Sequence, residues 1–165
     1  MEFGHAFSVQ DLVLQEQPDV IVLRNPDGLA ALHRATIDVV WDDEYYQYVI
    51  NQGLSFAAQG SRLIGACLCQ RLDIDTGELL FIGVLPSWQQ RGWAQKILAA
   101  CIHAARAAGI MILYLEVEED NIPAQALYAS VGGEQVGMRR NYYGSGRDAQ
   151  VWALHTSYQR NTPAP

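Results

Sequence analysis

A mixed α/β fold in one domain is what this sequence predicts, and three observations carry that reading. The stretch Leu79 to Leu98 joins a continuous apolar run to an amphipathic helix through a short glycine-containing turn. Around it, segments of strand and helix periodicity follow in the order β α α β β β α β α β β. The 165 residues, half of them hydrophobic and 18% charged, suit one domain with a proper core.

Met1 to Pro18 lacks periodicity, so residues 1–19 read as an N-terminal extension, 20–157 as the domain and 158–165 as a tail. Val20 to Leu23 is a short β-type run. Asn25 or Asp27 can cap a helix over Gly28 to Val39, with Leu29, Leu32 and Ala35 or Thr36 on one side. Trp41 to Glu44 opens a second helix running to Ile50, its acids at the favourable N-terminal end. Leu54 to Ala58 and Leu63 to Arg71 read as strands joined by a turn at Gln59-Gly60-Ser61. A second turn, Asp73 to Gly77, leads into the central strand Leu79 to Leu85.

The helix that follows puts Ala94, Ile97, Leu98, Cys101, Ile102 and Ala105 on one stripe, and Gly109 is its stop signal. From Met111 to Glu118 apolar residues alternate with Tyr114, Glu116 and Glu118, so the two glutamates share a strand face. Asn121-Ile122-Pro123 starts a short helix bearing Ala124, Leu127, Tyr128 and Val131, ended by Gly132-Gly133. Glu134 to Arg140 and Ala149 to His155 form a final hairpin across the loop Asn141 to Asp148.

The bulk numbers exclude several classes. A net charge of −7 argues against a non-specific nucleic-acid binder, which carries a basic face. No run approaches the ~18 apolar residues of a membrane span, and no basic segment followed by an apolar core marks a signal peptide. Cys67, Cys69 and Cys101 are odd in number with no CxxC pair, so neither a disulfide framework nor a zinc site is expected, and free thiols fit a reducing cytoplasm.

The turn Pro86 to Gly92 is where binding chemistry is expected. A strand feeding a helix through such a turn aims free backbone N–H groups at the positive end of the helix dipole, a seat for phosphate or pyrophosphate. Gly92 permits close approach, Ala94 does not block it, and Arg91 adds a cation. Gly83, inside the strand, signals a bulge or a close backbone approach. A plain chain reversal has the same sequence signature.

The pattern Gln89-x-x-Gly92-x-Ala94, placed between strand and helix, resembles the acyl-CoA-binding signature of the GNAT N-acetyltransferases. Leu115-Glu116-Val117, Asn121 and Ala126 to Gly132 resemble a block of the ribosomal-protein-alanine (RimI-type) branch. Arg139-Arg140-Asn141-Tyr142-Tyr143 resembles that branch's last hairpin. The resemblance spans Val20 to Leu154 and is clearest from Leu79 onward. It departs at Val131-Gly132-Gly133, where the family has Leu-Gly-Phe, and at Trp93, where a small aliphatic is common.

The resemblance implies a mostly antiparallel sheet whose central strands splay apart, flanked by helices. It implies acetyl-CoA as co-substrate and no metal. Ile82, Gly83 and Val84 would bind the pantetheine arm, an N–H near Val84 would face the thioester oxygen, and Gln90, Arg91, Gly92, Trp93, Ala94 and Gln95 would hold the pyrophosphate, with Asn121 a further contact. Glu116 would be the general base and Tyr128 the general acid. Read alone, Glu116 is a strand-end carboxylate, Tyr128 a packed ring and Asn121 a helix cap. Trp41, Asp42, Glu118, Tyr142 and Tyr143 are the substrate-side residues, acids and aromatics suited to a basic N-terminus.

The expected activity is acetylation of a protein N-terminal α-amine, that of the alanine of a small-subunit ribosomal protein, by a cytoplasmic monomer or weak homodimer. The alternatives are acetylation of a small amine such as a polyamine or aminoglycoside, and a non-catalytic CoA-binding subunit.

Overall fold

The computed structural model describes residues 18–37 and 40–157. The expected N-terminal extension through residue 17, the tail 158–165 and residues 38–39 at the end of the first expected helix lie outside the described residues. In chain order come β1 (Asp19–Val22), α1 (Leu29–Thr36), α2 (Asp43–Ile50), β2 (Phe56–Gln59), β3 (Leu63–Arg71) and β4 (Thr76–Val84). A 3₁₀ turn at Pro86–Trp88 follows, then α3 (Trp93–Ala107), β5 (Ile112–Glu118), α4 (Ile122–Ser130), β6 (Glu134–Arg139) and β7 (Ala149–His155).

The strands form one sheet in the order β1-β2-β3-β4-β5-β7-β6. Every pairing is antiparallel except β4 with β5, which is parallel and joins only Thr76, Gly77 and Glu78 to Ile112, Leu113 and Tyr114. Beyond Glu78 the two central strands part. The rest of β4, through Val84, keeps β3 on one side and, among the described residues, has no strand on the other.

The alternation of side chains sorts the core onto the two faces of this sheet. On one face α3 lays Ile97, Leu98, Cys101 and Ala105 against Cys67, Cys69, Leu79, Leu113, Leu115, Val117 and Tyr128. On the other, α1 and α2 lay Leu29, Leu32, Tyr46 and Val49 against Ala66, Leu68 and Phe81. The three cysteines are free and fully enclosed, their ligating atoms all within 4.8 Å of one another. Burial pushes the Cys67 and Cys101 thiols upward, so both stay protonated in the core.

Several boundaries differ from those read in the sequence, and three of them have a local reason. The first helix is capped by neither Asn25 nor Asp27. Its cap is Gly28, in a left-handed conformation, while the Asn25 side chain accepts from the Asp27 N–H at 3.1 Å in the turn before it. The helix ends at Thr36, whose hydroxyl bonds back to the Leu32 carbonyl at 2.8 Å. β4 begins at Thr76, within the expected turn. Gly77 pairs within the strand, and glycine is needed there because a Cβ would stand 2.8 Å from the Gln70 carbonyl and 2.9 Å from Leu113.

Gly83 marks a close approach and not the bulge itself. A Cβ on it would run into the Phe81 ring. The bulge is three residues upstream: Leu68 pairs with Phe81 and Cys69 with Leu79, so Leu80 is the extra residue. It re-aims β4 just where that strand leaves β5.

Candidate active site

The gap between β4 and β5 is closed at one end by the Glu78–Tyr114 pair and opens toward the turn before α3. That turn is held by Gln89, whose side-chain N–H donates to the Val84 carbonyl at 3.0 Å. Gln90 and Gly92 both have positive φ, 58° and 81°. Gly92 is the N-cap of α3 and offers no side-chain bond to it, leaving the first helical N–H groups for an external acceptor. A turn with left-handed residues directly before a helix is an anion-binding geometry. Arg91 lies 5.1 Å over the Trp88 ring and Lys96 4.4 Å over Trp93, which sets two cations about the same helix start. The residues expected to hold pyrophosphate, Gln90 to Gln95, are thus brought together. Trp93 is half-buried against the core on the α3 face.

Ile82, Gly83 and Val84 line the free edge of β4, and a polar chain can pair with backbone there as a strand would. Gly65, to which sequence reading gave no role, is needed beside them. A Cβ on it would stand 2.8 Å from the Gly83 carbonyl and 2.9 Å from Val84.

Tyr128 projects from α4 into the face that carries α3. It is buried, and its ring lies 6.3 Å from that of Trp152 on β7. Burial raises its pKa strongly, so the phenol stays protonated across any working pH. The Gly133 N–H bonds back to the Tyr128 carbonyl at 2.9 Å, fixing the end of α4. The close approach at this helix end also leaves room only for a glycine. A Cβ at Gly133 would stand 2.5 Å from Leu154 and 2.8 Å from the Tyr128 carbonyl.

Glu116 points to the opposite face. It is half-buried and ion-paired to Arg139 on β6 at 3.0 Å. Burial raises its pKa, the Arg139 charge opposes the rise, and the Glu78 charge adds to it. The loop between β6 and β7 closes over it. The Tyr143 hydroxyl donates to the Glu116 carbonyl at 3.1 Å, the Tyr142 and Tyr143 rings meet edge-on at 5.0 Å, and Arg139 lies 5.4 Å over Tyr142. Burial and the neighbouring Tyr142, Glu116 and Glu118 charges push the Tyr143 phenol up to about 12. The loop is itself pinned by Asn141 and Asp148: the Asn141 N–H donates to the Asp148 carboxylate at 2.8 Å, and the Asn141 side chain accepts from the Gly146 N–H at 2.7 Å.

The remaining expected residues each hold local structure. Asn121 caps α4, accepting from the Ala124 N–H at 3.2 Å. Asp42 caps α2, accepting from the Tyr45 N–H at 2.7 Å. Trp41 packs edge-on against His33 at 4.9 Å and Tyr45 at 5.1 Å. Glu118 is gripped by Arg147 through two bonds, one of 2.8 Å, and Arg147 holds its carboxyl below the usual range. That fork neutralises it, so the face it shares with Glu116 has less free charge than two strand glutamates suggest. Sequence reasoning missed Arg139 as the partner of Glu116 and Arg147 as the partner of Glu118. Both lay within or beside the hairpin motif, but their pairing with β5 depends on sheet order.

Arg139→Gln tests this electrostatic arrangement. With the opposing cation removed, the Glu116 pKa should climb further, and any reaction that needs it ionised should have its ascending pH limb moved to higher pH. The kcat/KM profile against pH measures that shift.

Comparison with known proteins gives a consistent set of relatives. A family model described as the acetyltransferase (GNAT) family matches residues 26–132. The chain is 38% identical over 113 residues to the ribosomal protein bS18-alanine N-acetyltransferase of Haemophilus ducreyi, covering 64% of this chain and 77% of that protein. It is 41% identical over 97 residues to the N-alpha-acetyltransferase RimI of Mycobacterium tuberculosis, covering 56% and 60%. The crystal structure of the ribosomal-protein-S18-alanine N-acetyltransferase from Escherichia coli superposes with a TM-score of 0.72 at 28% identity, over 90% of this chain and all of that one.

Proposed function

This chain belongs to the GNAT acetyltransferase family and is an acetyl-CoA-dependent acyltransferase; on that premise we propose that its acceptor is a protein N-terminal α-amine, that of the alanine of a small-subunit ribosomal protein. The observation that carries this reading is the placement of Glu116 and Tyr128. They approach the β4–β5 gap from opposite faces of the sheet, and the Glu116 side is roofed by the Tyr142–Tyr143 loop. The names of the relatives support the same acceptor class.

Acetyl-CoA supplies the acetyl thioester, and the protein supplies position and protons. The turn from Gln90 to Gln95 takes the pyrophosphate on backbone N–H groups, and the free edge at Ile82, Gly83 and Val84 takes the pantetheine arm. An α-ammonium has pKa ~8 and must lose a proton before it can attack. Glu116 takes that proton through water, its raised pKa bringing it nearer the value a base needs near neutrality. The free amine forms the new C–N bond as the C–S bond breaks, and the Tyr128 hydroxyl donates its proton to the departing sulfur. Tyr128 then recovers a proton from solvent, since a phenol with so high a pKa does not remain ionised. Asn121 stands at the α4 end of the same cleft, and Tyr142 and Tyr143 border the acceptor.

A peptide with a small first residue and a basic neighbour is expected to be acetylated in preference to free polyamines and aminoglycosides. Steady-state turnover of all three acceptor classes measures this. Faster turnover of the free amines would replace the peptide reading with the small-amine one.

A further inference from the structure

We propose that Glu78 is the seat of the acceptor's ammonium group, a specificity-determining residue distinct from the base Glu116. The inference rests on the function proposed above and adds a residue to its acceptor side.

The placement follows from sheet register. Glu78 is the last residue of β4 that pairs with β5, opposite Tyr114, so it stands at the apex of the gap. Paired residues of parallel strands show their side chains on the same face, and Tyr114 and Glu116 are two apart on β5. Glu78 therefore shares the Glu116 face, while its neighbours Gly77 and Leu79 face α3. Its charge is felt at Glu116, at Tyr142 of the hairpin loop and at Tyr45 of α2, raising the pKa of each. Those three groups belong to the three elements that border the acceptor side.

Charge accounting then separates the two carboxylates. Glu116 already has a cation, Arg139, at 3.0 Å. Glu118 has Arg147. Glu78 is half-buried and receives one neutral donor, the Gln70 side chain at 2.9 Å, and no cation among the described residues pairs with it. Gln70 orients one carboxylate oxygen without cancelling the charge. The face thus has two glutamates and one arginine around the apex, one negative charge in excess at the place where an acceptor cation must arrive. An ammonium donates up to three hydrogen bonds, so one N–H on Glu78 leaves another directed through water to Glu116. Binding and deprotonation are thereby assigned to different carboxylates. Glu116 need not give up Arg139 to hold the substrate.

The test uses two peptides of one sequence, with a small first residue and a basic second one. One carries its α-ammonium and the other has hydrogen in its place. Their binding to the CoA-loaded protein is measured by calorimetry. Wild type should prefer the ammonium peptide by about tenfold or more, as a charge-assisted hydrogen bond implies. Glu78→Gln and Glu78→Ala should each lose that preference, Glu78→Asp should retain part of it, and Glu116→Gln should keep it. In turnover, Glu78→Gln should raise the acceptor KM about tenfold or more with kcat changed by less than about threefold. An unchanged preference in the Glu78 variants, or its loss in Glu116→Gln, would overturn the assignment. If wild type acetylates no peptide at all, the proposed acceptor class fails. If wild type turns the peptide over and the Glu78 variants match it in KM, only the role of Glu78 fails.

Discussion

Glu116→Gln is expected to slow acetyl transfer by about 10²–10⁴ while acetyl-CoA still binds, and Tyr128→Phe to do so to a similar degree for a different reason. The glutamine cannot take the ammonium proton, but solution can remove it as pH rises past the pKa of the acceptor amine, so this defect should shrink at high pH. The phenylalanine cannot protonate the leaving sulfur, and raising pH does not supply a proton, so that defect should persist. Neither loss should come from the fold. The folded-state pKa of Glu116 is raised, so its ionisation costs stability once pH passes the unfolded value, and replacing it by a neutral isostere at pH 7 removes that cost. The Tyr128 ring packs near Trp152, and phenylalanine keeps the ring. The check is kcat/KM against pH for the three proteins, with acetyl-CoA affinity measured separately. Wild-type rates in both variants would reduce the residues to scaffold. Equal defects at every pH would refute the division between base and acid.

Gly92→Glu is expected to abolish the thermal stabilisation that acetyl-CoA gives. A ligand that binds only the native state at 100 times its Kd adds ~2.7 kcal/mol of stability, a shift of several degrees for a domain of this size. Two effects oppose binding in the variant. Glutamate places a negative charge at the positive end of α3, where the pyrophosphate belongs. It must also adopt φ of +81°, a conformation that side-chain-bearing residues rarely take. Among the described residues, chain neighbours aside, no atom lies within 4 Å of a Cβ built there, so bulk does not clash with them. Gly92→Asn is the control, since asparagine tolerates the left-handed region and brings no charge. It should keep most of the shift. A folded Gly92→Glu with the full shift would mean the phosphates bind elsewhere.

The parts of the fold most legible in the sequence were those that local patterns determine. Leu63 to Arg71 is a strand over its whole predicted length because an apolar run between turn residues has few alternatives. Ile97, Leu98, Cys101 and Ala105 are buried as the helical period requires. Tyr128 and Glu116 were singled out by the resemblance of their surroundings, since a tyrosine on an apolar stripe and a glutamate on an alternating strand have no chemistry of their own to announce. What stayed hidden depends on pairing between distant segments. Glu78 looked like the edge of a turn until β4 was seen to start at Thr76 and to leave β5 right after it. The pairing of Glu118 with Arg147 was hidden for the same reason, since the two lie far apart along the chain. Gly77 looked like turn punctuation, whereas its lack of a side chain serves packing inside the sheet.

The most direct test of the acceptor is mass spectrometry of ribosomal-protein N-termini after incubation of unacetylated small-subunit proteins with the purified protein and acetyl-CoA. One acetyl group is expected on the α-nitrogen of a protein that begins with alanine, in amounts that rise with enzyme and fall away with Glu116→Gln. Acetyl groups on lysine side chains alone, or none on any protein while a free polyamine or aminoglycoside is consumed, would contradict the proposed function.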